Sequence, residues 1–177
     1  MAFANPEDNV AKLRLREGEI VVDFGSGVGS YVIPAAKRVG QTGKVYAIDI
    51  QQDLLVNVRD RAREAGLSNV ETIWADVEKP HGSKLEDSFA DAAIVSNILF
   101  QSEKKDEILK EVKRILKPHG RLLVVDWTDS FGNLGPEAHM IFPQGEAKKL
   151  LMQNNFAYEN EFEFGDHHYG LIFLKNG

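Results

Sequence analysis

Residues 23–29, with the sequence DFGSGVG, place three glycines at alternate positions directly after a short β-branched run. Residues 20–24 are predicted to form a buried strand, and residues 30–39 the helix that follows it. Because glycine has no Cβ atom, a turn built in this way bends sharply and lets a ligand approach the backbone. The segment therefore predicts a strand–turn–helix unit, and the turn alone is compatible with a ligand site or with a purely structural bend.

The rest of the chain repeats the alternation of apolar strand, turn and helix. Four further strands are predicted at residues 44–49, 70–74, 91–96 and 121–127, and three further helices at residues 54–65, 103–116 and 145–154. Such alternation is typical of an α/β fold with a mostly parallel sheet. The last two strands, residues 156–164 and 168–175, are separated by a tight turn and are predicted to form an antiparallel hairpin.

The composition is that of a folded globular protein, with 43% apolar and 27% charged residues. The 177 residues are predicted to form a single domain, with residues 1–18 as an N-terminal cap and residues 129–143 as a loop beside the active site. Cysteine is absent, which excludes disulfides, zinc–thiolate sites and thiol nucleophiles.

Charge and hydropathy bear on partners and location. The 27 acidic and 21 basic residues give a net charge of −6, which argues against nucleic-acid binding. The first ten residues do not have the pattern of a signal peptide, and no apolar run approaches the roughly 20 residues of a membrane span. A cytoplasmic location is therefore predicted.

Two aspartates follow the second and third predicted strands. Asp49 closes the second strand, and Asp76 lies just past the third. Because the carboxyl ends of parallel strands meet at one edge of a sheet, both side chains are expected to lie there with the glycine turn. An acidic side chain at the position of Asp49 accepts hydrogen bonds from the ribose of a bound nucleoside. Either aspartate alone is also a common cap or turn residue, but all three features together predict a nucleoside-binding edge.

Two nucleotide-binding patterns do not fit this chain. The dinucleotide fingerprint G-x-G-x-x-G, counted from Gly25 and Gly27, needs a third glycine where Ser30 stands. No lysine follows the glycines as it does in a phosphate-binding P-loop. A nicotinamide-dependent oxidoreductase is therefore disfavoured.

The turn instead resembles motif I, D/E-x-G-x-G-x-G, of the class I S-adenosylmethionine-dependent methyltransferases, and the resemblance extends over residues 20–175. Residues 115–121, with the sequence ILKPHGR, are similar to the R-x-L-K-P-G-G segment of the branch that contains ubiquinone/menaquinone and arsenite methyltransferases. His119 replaces the first glycine of that segment. The resemblance implies a three-layer Rossmann-like α/β sandwich, with a seven-stranded, mostly parallel sheet of order 3-2-1-4-5-7-6 and an antiparallel last strand.

The resemblance also implies how the methionine end of S-adenosylmethionine would be bound. Asp23 would hold the amino group of the methionine part, directly or through water, and the glycines would lie along that part. The cofactor-binding residues predicted in the turn itself are Phe24, Gly25, Ser26, Gly27 and Gly29. Ser96 and Asn97, after the fourth strand, would lie near the sulfonium and the substrate.

The nucleoside end of the cofactor would contact residues after the second and third strands. By resemblance, Asp49 would bind the ribose and Ile50 would pack on the adenine. Asp76 would accept a hydrogen bond from the adenine amino group, with Val77 beside it.

Methyl transfer from a sulfonium is an in-line displacement, so positioning and exclusion of water supply much of the rate. Two catalytic residues are predicted for a nucleophile that arrives protonated. Asp126, at the end of the fifth strand, would orient or deprotonate the substrate, or else cap a turn. His168, between the last two strands, would act as a general base, or else lie in an exposed turn remote from the cofactor edge.

No metal site is predicted. Asn97, Asp126 and Asp129 imitate the oxygen ligands that some small O-methyltransferases use for a divalent cation. The acidic residue expected at the end of the fourth strand is absent, because that position is Ser96 or Asn97.

The sequence thus predicts an enzyme that uses S-adenosylmethionine to methylate a small molecule. Residues 97–100, with the sequence NILF, depart from the N/D-P-P-Y/F motif of methyltransferases that act on exocyclic amines of nucleic acids and on glutamine. Two alternatives stay open. One is a methyltransferase that acts on RNA or protein, and the other is a module that binds S-adenosylmethionine or a nucleoside without catalysis.

Overall fold

The computed structural model describes residues 4–130 and 135–177. Its strands are β1 (Ile20–Phe24), β2 (Lys44–Asp49), β3 (Val70–Trp74), β4 (Ala90–Ser96), β5 (Leu116–Trp127), β6 (Phe156–Glu163) and β7 (His168–Lys175). They form one sheet in the order β3-β2-β1-β4-β5-β7-β6. Neighbouring strands among the first five are parallel, whereas β7 runs antiparallel to both β5 and β6. The predicted strand order and the antiparallel last strand are confirmed.

Helices cover both faces of this sheet. They are α1 (Pro6–Lys12), α2 (Val32–Val39), α3 (Gln52–Glu64), α4 (Lys105–Ile115) and α5 (Gln144–Gln153), with a short 3-10 turn at Ala138–Met140. One apolar core joins the sheet to α1, α2 and α3, and a second joins its other face to α4 and α5. Because both faces are covered, the central strands are buried almost throughout their length, as parallel strands usually are. The three-layer arrangement implied by the resemblance is confirmed.

The predicted bounds agree with the structure to within two residues everywhere except at the start of β5. The sequence predicts a start at Arg121, whereas the strand begins at Leu116, which pairs with Ala90. The next pair is Ala92 with Arg121, so the residues between them form a bulge. Pro118 lacks the N–H that a ladder needs, and His119 has a φ of 62°, which explains why these residues read as a turn.

Helix α1 was not predicted within the N-terminal segment. It is seven residues long, too short for a clear helical period, and Asn5 caps it by accepting a hydrogen bond from the backbone N–H of Glu7 at 3.0 Å. Its buried residues are Asn9 and Val10, which face α2 and the sheet. None of the helices in the described part of the chain has the length and apolar character of a membrane span. The cytoplasmic location stays a prediction.

A buried ion pair fixes the long loop between β3 and β4 against α4. The Glu111 side chain is only 3% exposed and accepts hydrogen bonds from the backbone N–H and the hydroxyl of Ser83, at 2.9 and 2.5 Å. Arg114 donates to both carboxylate oxygens of Glu111 and to the carbonyl of Leu85. Burial raises the pKa of Glu111, but the hydrogen bonds from Arg114 and Ser83 outweigh it and lower that pKa to about 2.

Replacing Glu111 with Gln is expected to lower the free energy of unfolding by about 1–3 kcal/mol at pH 7, because the Arg114 guanidinium loses its carboxylate. The folded-state pKa lies below the usual value of 4.5, so this stabilisation is complete above pH 4.5 and is lost as the pH falls toward 2. Urea unfolding at several pH values measures the difference. Glu107→Gln, at an exposed pair on the same helix, is the control and should change stability by no more than about 0.5 kcal/mol.

Candidate functional site

A cavity of about 620 Å³ opens at the carboxyl ends of β1 to β4. Strand β2 lies on one side of β1 and β4 lies on the other, so the order of the strands reverses at β1. Parallel α/β sheets bind ligands at such a point. Ten of the predicted cofactor residues line the cavity: Asp23, Gly25, Ser26, Gly27, Asp49, Ile50, Asp76, Val77, Ser96 and Asn97.

The other two predicted cofactor residues, Phe24 and Gly29, are not among the residues that line it. Phe24 is fully buried in the core between the sheet and the second helical layer, because successive side chains of a strand point to opposite faces. Gly29 has a φ of 80°, and a Cβ atom there would lie 3.0 Å from a methyl group of Val58. Gly29 therefore allows α3 to pack closely against the turn.

Gly25 and Gly27 give the turn its shape. Both adopt left-handed backbone conformations, with φ of 68° and 53°, which glycine tolerates best. A Cβ atom on Gly25 would lie 2.5 Å from Ile98, whereas one on Gly27 would meet nothing within 4 Å. The turn is therefore packed against the loop after β4 at Gly25 and open to the cavity at Gly27.

Asp49 connects the glycine turn to the end of β2. Its Oδ2 accepts a hydrogen bond from the backbone N–H of Gly27, and its Oδ1 accepts one from the backbone N–H of Gln51, both at 2.9 Å. Each carboxylate oxygen can accept a further hydrogen bond from a ligand hydroxyl. Arg61 of α3 donates to the carbonyl of Val28 at 2.6 Å and holds the turn from its outer side.

Asp23 is the most unusual group in the site. Its side chain is 1% exposed, and neither carboxylate oxygen has a hydrogen-bond partner. Burial, and then the neighbouring charge of Asp49, raises its pKa well above the usual range. Ser26 Oγ and Asn97 Oδ1 are also buried without a partner in the described structure. Because folded proteins pair nearly all buried polar groups, three unpaired side chains around one cavity indicate a polar ligand.

The charge of the lining indicates the sign of that ligand. Four carboxylates, those of Asp23, Asp49, Asp76 and Glu78, line the cavity, and the described lining contains no Lys, Arg or His. Outside the lining, Lys79 lies 3.1 Å from Asp76. Burial raises the pKa of Asp76, but hydrogen bonds from the Glu78 backbone and from Lys79 outweigh it and lower that pKa. The cavity is therefore suited to a cationic ligand.

Sequence reasoning missed several residues of the site. Ser102 donates a hydrogen bond to Glu78 at 2.6 Å and so joins the loops after β3 and β4 beside the cavity. Tyr31 lines the cavity from the start of α2, and its hydroxyl accepts a hydrogen bond from Asn9 of α1 at 2.9 Å. The position of Tyr31, two residues after the last glycine, was the one available signal, since it places the side chain at the same edge of the sheet.

Asp126, a predicted catalytic residue, is fully buried and is not among the residues lining the cavity. Its Oδ2 accepts a hydrogen bond from the backbone N–H of Phe100 at 3.0 Å, and its Oδ1 accepts one from that of Trp127 at 2.9 Å. Burial raises the pKa of Asp126 to about 6, although these hydrogen bonds oppose the shift. The carboxylate thus holds the loop after β4, which carries Asn97.

His168, the other predicted catalytic residue, pairs with Trp127 across β5 and β7. Because β7 is antiparallel to β5, its first residue lies at the carboxyl end of β5, so the alternative of a remote, exposed turn is wrong for this residue. Its ring is buried 4.1 Å from the Trp127 ring, and burial, followed by the charge of His167, lowers its pKa. It is not among the residues that line the cavity.

The predicted active-site loop, residues 129–143, lies partly outside the description, because residues 131–134 are not described. At its start, Asp129 Oδ1 lies 2.8 Å from His167 Nδ1. Asp126, one of the three residues of the oxygen-ligand set, accepts hydrogen bonds from the backbone with both of its carboxylate oxygens. The described ranges contain no group of three or more His, Cys, Asp or Glu residues that could hold a metal ion.

Comparison with known proteins assigns the chain to a family. Residues 15–168 match the family model described as "Methyltransferase domain", so the chain belongs to that family. It is 32% identical to the ubiquinone/menaquinone biosynthesis C-methyltransferase UbiE of Pseudomonas entomophila over 148 residues, which are 81% of this chain and 57% of that protein. The corresponding UbiE of Paraburkholderia phymatum is 35% identical over 119 residues, 67% of this chain and 47% of that protein. The chain spans about half the length of these curated relatives.

A solved structure agrees with this assignment. The S-adenosylmethionine-dependent methyltransferase from Aquifex aeolicus superposes with a TM-score of 0.87 and 27% identity, covering 97% of this chain and 90% of that one. The class I methyltransferase superfamily and the UbiE-like branch, both indicated by the sequence, are therefore confirmed.

The contact between the glycine turn and Ile98 gives a test of the site's architecture. Gly66 has almost the same φ as Gly25, 69° against 68°, but an added Cβ there meets nothing within 4 Å. Gly66→Ala should therefore cost only the conformational strain, about 1–2 kcal/mol in the free energy of unfolding. Gly25→Ala should cost about 1–3 kcal/mol more, because it also clashes with Ile98. Equal losses in denaturant unfolding would contradict close packing of the turn.

Proposed function

We propose that this chain binds S-adenosylmethionine in the cavity at the carboxyl ends of β1 to β4 and transfers its methyl group to a small-molecule acceptor. The observation that carries the proposal is a cavity lined by four carboxylates and no described cation, with the buried Asp23 unpaired. S-adenosylmethionine has two positive groups, an ammonium and a sulfonium, which fit this charge. The family and the relative from Aquifex aeolicus support the same cofactor.

Each part of the cofactor has matching groups in the chain. Asp23 accepts hydrogen bonds from the ammonium, and ion pairing at that point removes the cost of its unpaired burial. Asp49, which keeps free acceptor positions, binds the ribose hydroxyls. Asp76 accepts from the adenine amino group, and Ile50, although largely exposed, covers the ring. When bound, the cofactor supplies a sulfonium methyl group that a nucleophile takes by in-line displacement.

The acceptor approaches from the loop after β4. Asn97 holds a left-handed conformation there, with φ of 55°, and its backbone N–H donates to the carbonyl of Val125 at 2.8 Å. Asp126 fixes the same loop through Phe100, so we assign it a positioning role rather than proton transfer. His168 keeps its predicted role as a general base only for an acceptor that reaches the carboxyl end of β5.

A small acceptor is favoured over a macromolecule. The cavity is negatively charged and the chain has a net charge of −6, both of which repel the phosphates of RNA. The relatives named UbiE are C-methyltransferases of ubiquinone and menaquinone biosynthesis, which makes a small aromatic acceptor the class to test before others.

Calorimetric titration of S-adenosylmethionine into the protein tests the cofactor site. The wild-type protein is expected to bind it, and Asp49→Ala should weaken binding by at least about tenfold, because hydrogen bonds to a charged group are lost. Asp53→Ala is the matched control, since Asp53 lies four residues away in the first turn of α3 and is not among the residues lining the cavity. Absence of binding to the wild-type protein would refute the proposed function.

Methyl incorporation from labelled S-adenosylmethionine tests the acceptor class. Quinols and other phenolic compounds, small amines, bulk RNA and a protein mixture are offered in parallel. Label is expected in a small molecule and not in the macromolecules. Label in RNA or protein would favour the macromolecular alternative. Tight cofactor binding without transfer to any of them would favour a non-catalytic binding module.

A further inference from the structure

Tyr31 stands at the junction of the cavity and the N-terminal helix. Its ring is buried in the core that α1 and α2 share, and its side chain also lines the cavity. Its hydroxyl accepts a hydrogen bond from Asn9 Nδ2 at 2.9 Å, and Asn9 is itself buried in α1. The hydroxyl also interacts with Ser96 and with the charge of Asp23. It therefore lies at the end of the cavity where the unpaired carboxylate is.

The hydrogen bond from Asn9 leaves the tyrosine proton available for another acceptor. A phenol hydroxyl has one proton to donate, and its oxygen lone pairs accept. Since the Asn9 amide already donates to the hydroxyl oxygen, the hydroxyl's own proton is left for another acceptor, and Ser96, Asp23 and the cavity lie around it. Burial raises the pKa of Tyr31, so the group stays protonated at neutral pH and remains a donor.

The residues lining the cavity must also provide hydrogen-bond donors for the carboxylate of the proposed cofactor. The proposed cofactor has a carboxylate on the same carbon as its ammonium, so a carboxylate is brought close to wherever the ammonium is held. With Asp23 as the ammonium partner, that carboxylate, two bonds from the ammonium nitrogen, lies close to an acidic side chain. No Lys, Arg or His of the described lining is available to balance it. Neutral donors at this end of the cavity have to bind it instead, namely Tyr31, Ser26 and backbone N–H groups.

We propose that the Tyr31 hydroxyl donates a hydrogen bond to the carboxylate of the bound cofactor and that Asn9 positions it as a donor. This inference rests on the proposed function, since it assumes S-adenosylmethionine as the ligand. Helix α1 then contributes to the site through one hydrogen bond, although its own residues are not among those lining the cavity.

Binding of two ligands that differ only in the carboxylate tests the assignment. S-adenosylmethionine and its decarboxylated analogue are titrated calorimetrically into the wild-type protein, Tyr31→Phe and Tyr158→Phe. Tyr31→Phe should bind S-adenosylmethionine roughly tenfold to hundredfold more weakly, as for a lost hydrogen bond to a charged group, and should bind the analogue within about twofold of wild type. Tyr158→Phe, at a half-exposed tyrosine of β6, controls for the substitution and should change neither affinity.

The outcomes separate this inference from the proposed function. If the wild-type protein binds neither ligand, the proposed function itself fails. If it binds both and Tyr31→Phe weakens both equally or neither, the assignment of the carboxylate to Tyr31 is overturned.

Two substitutions of Asn9 test its positioning role. Asn9→Leu keeps the size of the side chain but removes the hydrogen bond to the Tyr31 hydroxyl, so affinity for S-adenosylmethionine should fall by roughly threefold to tenfold, while affinity for the decarboxylated analogue should not change. Asn9→Asp supplies a carboxylate that takes the tyrosine proton, so affinity for S-adenosylmethionine should fall as far as in Tyr31→Phe. The double variant that combines Asn9→Asp with Tyr31→Phe should bind no more weakly than Tyr31→Phe alone. An Asn9→Asp protein that folds, as judged by its thermal unfolding, and binds like wild type would overturn the positioning role. The Tyr31→Phe comparison tests the donor role independently of both.

Discussion

The two parallel pairings of β1, with β2 on one side and β4 on the other, decide where each candidate ligand-binding group lies. Phe24 pairs with Ile48 in one neighbour and with Val95 in the other, so the three strands end at the same level. The residues immediately beyond them are the glycine turn, Asp49 and Ser96. Because backbone hydrogen bonds fix this register, a shift of one residue would turn every side chain of a strand to the other face and disassemble the cavity lining.

The site is electrostatically unfavourable on its own, and the rest of the fold has to stabilise it. A buried carboxylate without partners, such as Asp23, costs several kcal/mol. The two apolar cores on either side of the sheet offset this cost, at about 1.5–3 kcal/mol for each large side chain that is fully buried. A cationic ligand supplies the partner that Asp23 lacks and so lowers this cost. Ligand binding and folding stability are therefore coupled through Asp23.

The sequence allowed most of the residues lining the cavity to be predicted, because they lie at strand ends. An apolar run followed by Gly25, Asp49 or Asp76 identifies both the strand and its carboxyl end, and the parallel topology brings these ends together. Glu78 could not be found in this way, because its role depends on a contact with the loop after β4, and Tyr31 offered only its closeness to the last glycine of the turn. The sequence also placed Asp126 at the correct edge, but the direction of its side chain depends on backbone N–H groups that only the folded loop presents.

The loops after β4 and β5, where we propose that the acceptor binds, are organised differently from the strand ends, which explains why the acceptor is harder to predict than the cofactor. These loops are held by a few side-chain contacts: Asp126 with Phe100, Asp129 with His167, and the Tyr169 hydroxyl with the carbonyl of Phe142. None of these contacts involves the backbone hydrogen bonds that align the ends of β1, β2 and β4. Amino-acid substitutions in these loops can therefore alter which acceptor binds, while the carboxylates at the strand ends keep their positions. The same separation lets one fold serve many acceptors with one cofactor.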